Sequence, residues 1–417
     1  MKSSLGYAAT LFAAFATLAH AANDIPKCGE GSQCPDYAPC CSQYGQCGVG
    51  AYCLGGCDPR HSFDLKSCLA APVCKSNDFS MKTLDAPAVR ANTRYLGNGS
   101  ETNWVTSGQP VEYEDSILLT MAPSTVGTLL MSAHYVWYGK ISATMKTSQG
   151  PGVITAFILM SDMKDEIDFE FVGTNMNTAE TNYYFQGITN YDNGEKQEGL
   201  SDTRQNWHTY EIDWKPDSIN WSIDGKVVRT LERDSTYNDT TKQYNYPQTP
   251  SRVQLSLWPG GLPSNGEGTI EWAGGLVDWD SKYMQNGYYF AQVKDISVEC
   301  YDPPKGDDSG DNKAYYYTST AGTEGDVAIG TNNTIIGSFQ ATGDDPNKGA
   351  PSPVSDSKSS STSSSKKSTS TATVVPESVP GMSGGGAAGN SGGSAAGSGS
   401  SGSSGGVQTN NNGDTSG

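Results

Sequence analysis

The sequence predicts an all-β protein, a β-sandwich with a small disulfide-rich module at its N-terminus and a disordered tail at its C-terminus. Three observations carry that prediction. From Phe79 onward, short segments of alternating polar and apolar residues are separated by Gly, Pro, Asn and Asp, and no long helical period interrupts them. Nine of the ten cysteines fall between Cys28 and Cys74. After Asp302-Pro303-Pro304 the composition changes, and residues 356–417 are dominated by Ser, Gly and Thr with almost no large apolar side chain.

Residues 1–22 carry Lys2, an apolar run from about Leu5 to Leu18, and Ala19-His20-Ala21-Ala22. This is the pattern of a secretory signal peptide, and its apolar run is too short to span a bilayer. No later stretch is long and apolar enough to do so, which predicts an exported protein without a transmembrane span. Export makes the cysteines legible, because disulfides persist in oxidising compartments. Residues 23–72 hold too few apolar side chains to build a core, so bridges must hold that module together.

Residues 73–302 read as the sandwich, and about 225 residues is ample for one. Strands are expected at Gly139–Lys146, Tyr183–Ile188, Thr209–Trp214, Ile219–Ile223 and Arg252–Leu257, with Asp224-Gly225 making a hairpin turn. Within this domain, carboxylates and apolar residues alternate without a break from Asp165 to Phe171. On a strand, that period puts Glu166, Asp168 and Glu170 on one face and Ile167, Phe169 and Phe171 on the other, toward a core. Three like charges in a row repel and raise one another's pKa. Cα atoms four residues apart on a strand are roughly 13 Å apart. Two Glu side chains leaning together would bring their carboxyls to about 5–6 Å, near the roughly 5–5.5 Å of retaining glycosidases. In that chemistry one carboxylate attacks the anomeric carbon and the other, kept protonated, delivers a proton to the leaving oxygen. The pattern leaves open which Glu attacks, and a solvated acidic strand edge is the plainer reading of the same alternation.

Arg252, Gln254, Ser256 and Trp258 share one face of a second strand. If that strand lies beside the acids, Trp258 can stack on a sugar ring while Gln254 and Arg252 reach its hydroxyls or N-acetyl group; otherwise Trp258 belongs to the core. Glu211-Ile212-Asp213 repeats half of the acidic pattern, but Lys215 stands where the last acid would be, so it reads as a structural strand. Gly381-Met382-Ser383-Gly384-Gly385 matches a nucleophile elbow without the strand and helix that motif needs. The mature chain keeps only His61, His134 and His208, dispersed, which argues against a metal site, and no cofactor motif is present.

Glu166-Ile167-Asp168-Phe169-Glu170 resembles the catalytic signature of glycoside hydrolase family 16. Tyr138-Gly139-Lys140-Ile141, the run Trp207 to Trp214, and Ile223-Asp224-Gly225-Lys226 agree with it, so the likeness spans roughly residues 75–302. It implies a jelly-roll sandwich with substrate across one sheet, Glu166 as nucleophile, Glu170 as acid/base and Asp168 as their helper, with Thr269 and Trp272 as further sugar contacts. The cysteine string with Ser42-Gln43-Tyr44-Gly45-Gln46-Cys47 and Tyr52-Cys53 resembles a hevein-type chitin-binding module. That likeness implies bridges Cys28–Cys41, Cys34–Cys47, Cys40–Cys53, Cys57–Cys68 and Cys74–Cys300. It also implies a sugar clamp at Ser42, Tyr44 and Tyr52, from which Gln46 departs by standing where a second aromatic is expected.

Module, sandwich and stalk together resemble the fungal Crh family of cell-wall transglycosylases. The family implies cleavage of chitin with retention and transfer of the fragment to β-glucan or a chitin oligosaccharide. A hydrolase of chitin or β-glucan and a silent carbohydrate-binding wall protein are the alternatives. Residues 303–417 are expected to be a low-complexity linker or stalk, with Tyr315-Tyr316-Tyr317 ambiguous. A glycosylphosphatidylinositol signal needs a hydrophobic tail, which Asn412 to Gly417 does not supply. Sequons stand at Asn98, Asn220, Asn238 and Asn332. A formal charge of −18 argues against nucleic-acid or anionic-membrane partners and is compatible with a neutral polysaccharide.

Overall fold

The computed structural model describes residues 25–85, 88–309 and 313–351. The signal peptide, the Ser/Gly-rich stretch, the nucleophile-elbow match and the chain end discussed above lie outside the described residues.

Alternation along the strands builds two eight-stranded sheets packed face to face, as expected of a sandwich. The back sheet runs, edge to edge, Lys226–Glu232, Ser218–Ile223, His208–Trp214, Gly139–Lys146, Tyr289–Cys300, Ser116–Met121 and Val111–Tyr113, with Asn77–Ser80 also paired to Tyr289–Cys300. The site sheet runs Glu195–Glu198, Thr178–Tyr184, Glu166–Val172, Val153–Ser161, Ser251–Pro259, Thr128–Val136, Trp104–Ser107 and Val89–Ala91. Its pairings are antiparallel except the last, between Val89–Ala91 and Trp104–Ser107. The acidic strand is therefore central, with two partners on one side and five on the other.

Between the sheets lies the core. Ile167, Phe169 and Phe171 point into it, with Phe169 and Phe171 packed on Tyr210 at ring distances of 5.5 and 4.7 Å. Asp224 and Gly225 both take positive φ, 51° and 78°, which makes the predicted hairpin a tight turn between Ser218–Ile223 and Lys226–Glu232. Glu211-Ile212-Asp213 is a back-sheet strand, as its sequence implied, with Asp213 bound to Lys215 and Tyr301.

All five bridges form with the implied pairing, and Cys74–Cys300 ties the start of the sandwich to the end of its longest strand. Two features depart from the sequence reading. Among the described residues one short α-helix, Glu267–Trp272, follows the site-sheet strand Ser251–Pro259. The expected boundary at residue 302 is also too early. Ala314–Tyr317 pairs with Ala71–Pro72 on one side and Val327–Gly330 on the other, forming a third, three-stranded sheet. Residues 331–351 then return over the module: Gly50 N–H donates to the Ala341 carbonyl at 2.8 Å and Gly343 N–H to the Ser67 carbonyl at 2.9 Å. The strap folds because Tyr315 packs edge-on against Trp137 at 5.7 Å while Ile336 and Ala341 bury with Leu54. Those few apolar residues were diluted by the polar sequence around them.

Candidate active site

Residues opposite each other in an antiparallel ladder share a face. The register therefore lays out the site in three rows. Tyr184, Glu166, Met160, Arg252 and Tyr135 form the first, and Asn182, Asp168, Ile158, Gln254 and Met131 the second. Lys196, Glu180, Glu170, Ala156, Ser256 and Leu129 form the third. The acids and the face Arg252-Gln254-Ser256-Trp258 thus lie on one surface, two strands apart.

The acids are buried, and of the three only Glu170 keeps part of its surface in solvent. Burial pushes Asp168 well above the usual carboxylate range, helped by the charges of Glu166 and Glu170 and by a hydrogen bond to Glu166, while Arg229 opposes the shift. Glu170 is pushed up to about 8 by burial, then by the charges of Glu166 and Glu180. Its Oε1 has no hydrogen-bond partner among the described residues. A carboxyl that holds its proton near neutrality and faces solvent has the properties of a general acid.

The signature strand is held at its start and its middle. The Asp165 carboxylate accepts from the backbone N–H groups of Gln186, Gln248 and Thr249 and from Thr249 Oγ1. Trp221 Nε1–H crosses the core from the back sheet and donates to the Asp168 carbonyl at 3.0 Å. Arg229 stacks on that indole at 4.6 Å and donates to the carbonyls of Thr181 and Asn193. Trp221, Arg229, Glu180 and Lys196 were not singled out by sequence reasoning. Their contacts cross sheets or strands, and only strand pairing reveals them.

Several expected sugar contacts change character. Arg252 lies in the first row, but its Nε–H donates to the Ser132 carbonyl at 2.7 Å and its Nη1–H to the Gly55 carbonyl at 3.3 Å. It joins module to sandwich through these two bonds. Gln254 is buried in the middle row with no partner for its Nε2 among the described residues, as a group awaiting a ligand would be. Trp258 is on the site face but 5% exposed, beneath Trp272 at a ring distance of 6.1 Å and beside Ile154, Val172 and Ala273. It is neither an open platform nor part of the main core. Trp272 is half-buried over it, its Nε1–H donating to Glu180 Oε2 at 2.9 Å. Thr269 sits half-buried on the same short helix.

The module's expected clamp is not free. Ser42 and Tyr52 are 2% and 7% exposed, and Gly50 meets the strap at Phe339. Tyr44 is partly buried, its hydroxyl pushed up to about 12 by burial, with the Arg252 charge opposing. Gly56 N–H donates to Asp162 Oδ1 at 2.8 Å, and Leu54, Ile336 and Ala341 cover Val105, Leu129, Met131 and Ala133 on the site face. The module and strap therefore cover one flank of the site sheet instead of hanging beside it. A cavity of about 580 Å³ opens in that seam, lined by Asp162, Tyr316 and Tyr317 among others, away from the acid row.

Residues 98–274 match the model of the glycosyl hydrolases family 16. The chain is 55% identical over 327 residues to Crh-like protein 3 of Botryotinia fuckeliana (strain B05.10), covering 78% of this chain and 73% of that one. It is 54% identical over 345 residues to Crh-like protein 2 of Aspergillus fumigatus, covering 82% and 77%.

The chain belongs to the Crh-like proteins of family 16.

Among solved structures, a Crh5 transglycosylase in complex with NAG has 30% identity and a TM-score of 0.52 over 66% of this chain and all of that one. Apo Crh5 transglycosylase gives 29% and 0.53 at the same coverage. Family 16 is a retaining family, and the Crh-like proteins are transglycosylases within it. Five disulfides suit an extracellular Crh-like protein.

Proposed function

We propose that this protein is a cell-wall transglycosylase that cleaves chitin with retention and transfers the fragment to β-glucan or a chitin oligosaccharide. The observation that carries the reading is the acid row itself, Glu166, Asp168 and Glu170 on one face of the central strand, with Glu166 and Asp168 fully buried and Glu170 partly open to solvent. The NAG bound in the related Crh5 structure supports an N-acetylglucosamine polymer as donor.

Glu166 attacks the anomeric carbon while Glu170 delivers its proton to the leaving oxygen, giving a covalent glycosyl-enzyme. Asp168, next to Glu166 on the same face and holding its proton, orients the attacking carboxylate and stabilises it again when it departs. Glu170, now ionised, takes the proton of an acceptor hydroxyl, the new glycosidic bond forms, and Glu166 is released. Gln254 and Trp272, backed by Trp258, supply sugar contacts in this scheme, and the enzyme is retained in the wall.

Incubation with chitin oligomers and a labelled β-glucan acceptor tests the reading: labelled transfer products are expected. Shortened oligomers alone would mean a hydrolase, and binding without products a lectin-like protein. Glu166→Gln and Glu170→Gln should each lower turnover by orders of magnitude without unfolding the protein.

A further inference from the structure

In the third row of the site sheet, Lys196, Glu180 and Glu170 stand directly opposite one another on three adjacent strands. Like charges facing each other across a ladder destabilise a sheet, so a Glu opposite a Glu calls for a reason. Both oxygens of Glu180 have a partner: Trp272 Nε1–H donates to Oε2 at 2.9 Å, and the Lys196 ammonium lies 3.3 Å from Oε1. Glu170 Oε1 has no partner among the described residues. Of two facing glutamates, the one surrounded by donors takes the charge and the other takes the proton.

We propose that Glu180 is a positioning residue for the reaction's acid: its charge, fixed by Trp272 and moderated by Lys196, keeps the proton on Glu170 until the leaving oxygen takes it.

This deepens the transglycosylase reading and rests on it for Glu170's role. Among the other charged groups around Glu170, Glu166 raises it more than Glu180 does, and burial more than either. Glu166 and Asp168 lie along its own strand, and Tyr184 stands opposite Glu166. From the edge strand, Glu195 is tied to Arg229 at 3.3 Å, while Glu267 and Glu271 of the short helix are exposed. Ala156 and Ser256 continue the row on the other side without charge, and Arg252 is held by Ser132 and Gly55. The charge of Glu180 is one of the two that raise Glu170. Trp272 adds a mechanical link: the same indole that fixes Glu180 stacks on Trp258, so a sugar pressing on this pair also bears on the acid's neighbour.

The test is the titration of Glu170 in the full-length protein, followed by carboxyl carbon NMR with Glu170→Gln to assign the signal. Glu180→Gln keeps an acceptor for Trp272 but removes the charge, and should lower the Glu170 midpoint by about one pH unit. Lys196→Met leaves the charge of Glu180 unopposed and should raise the midpoint by less, because the Lys196 side chain is 59% exposed. The alkaline limb of kcat/KM should move in the same opposite directions. Midpoints that stay at the parent value in Glu180→Gln, or that move the same way in both variants, would overturn the proposal and leave Glu180 a structural partner of Trp272. Because the titration needs no substrate, opposite midpoint shifts in a protein that turns over neither polymer would uphold the proton placement and discard the proposed reaction.

Discussion

Trp221 shows how a residue outside the groove can set its geometry. It is fully buried in the back sheet, yet its N–H satisfies the carbonyl of the middle acid from behind the strand. Trp221→Phe should cost about 1–3 kcal/mol through the unsatisfied carbonyl and lower kcat more than it raises KM, which chemical denaturation and steady-state kinetics would read together. Trp258 makes the opposite case. Alternation correctly put it on the face of the acids, but not beneath a second tryptophan that arrives on a helix 14 residues later in the chain. Its replacement by Ala should cost about 3–5 kcal/mol and also lower activity by dropping Trp272 into the space left behind. A normal melting temperature with lost activity would instead make it a direct sugar contact. The acids were legible because a period of two is a local property of the sequence. Glu180 was not, because its meaning lies wholly in its partner across the ladder.

At the scale of elements, strands and turns were read well where the pattern was local. Gly139–Lys146 and the Asp224-Gly225 hairpin are where the sequence put them, whereas the strand expected at Tyr183–Ile188 lies earlier, at Thr178–Tyr184. There Ala179-Glu180-Thr181 offers little apolar signal, and it is the pairing with Glu166–Val172 that makes a strand of it. The strap was missed for the same reason in a stronger form: its apolar residues mean nothing until Leu54 and the site-sheet flank are in place. Ile336 is fully buried in that seam. Ile336→Asp should release the strap and loosen the module at a cost of several kcal/mol, since an unpaired charge would replace an apolar contact. Limited proteolysis would then cut between residues 331 and 351 well before the sandwich unfolds. Unchanged proteolysis would show that the third sheet alone anchors the strap.

Across the whole molecule, the buried carboxyls make stability depend on pH in an unusual direction. Burial pushes Asp162 and Asp165 up to about 6 despite their hydrogen bonds, Glu170 to about 8, and Asp168 well above its ordinary range. Each of these holds a proton in the folded protein that the unfolded chain, with carboxyl values near 4, has already lost. Between about pH 4 and 8 the native state therefore binds more protons than the unfolded state, and stability falls as pH rises, by on the order of 2–3 kcal/mol for each of Asp162 and Asp165. Asp58 runs the other way. Burial would raise it, but the hydrogen bond from His61 and the charges of Arg60 and Lys164 outweigh burial and hold it below its ordinary range. Its contribution is present above about pH 4 and lost below. The formal charge of −18 adds self-repulsion toward neutrality, in the same sense as the raised acids. Calorimetry across pH 3–9 should therefore find the highest melting temperature near pH 4–5 and a steady decline to pH 8. Asp162→Asn should flatten that decline between pH 4 and 6, because it removes one of the raised groups while an amide oxygen can still accept from Gly56 N–H and Tyr135 OH. A melting temperature that instead rises from pH 5 to 8 would mean that these carboxyls are ionised in the native state, and would remove the proton on which the acid role of Glu170 depends.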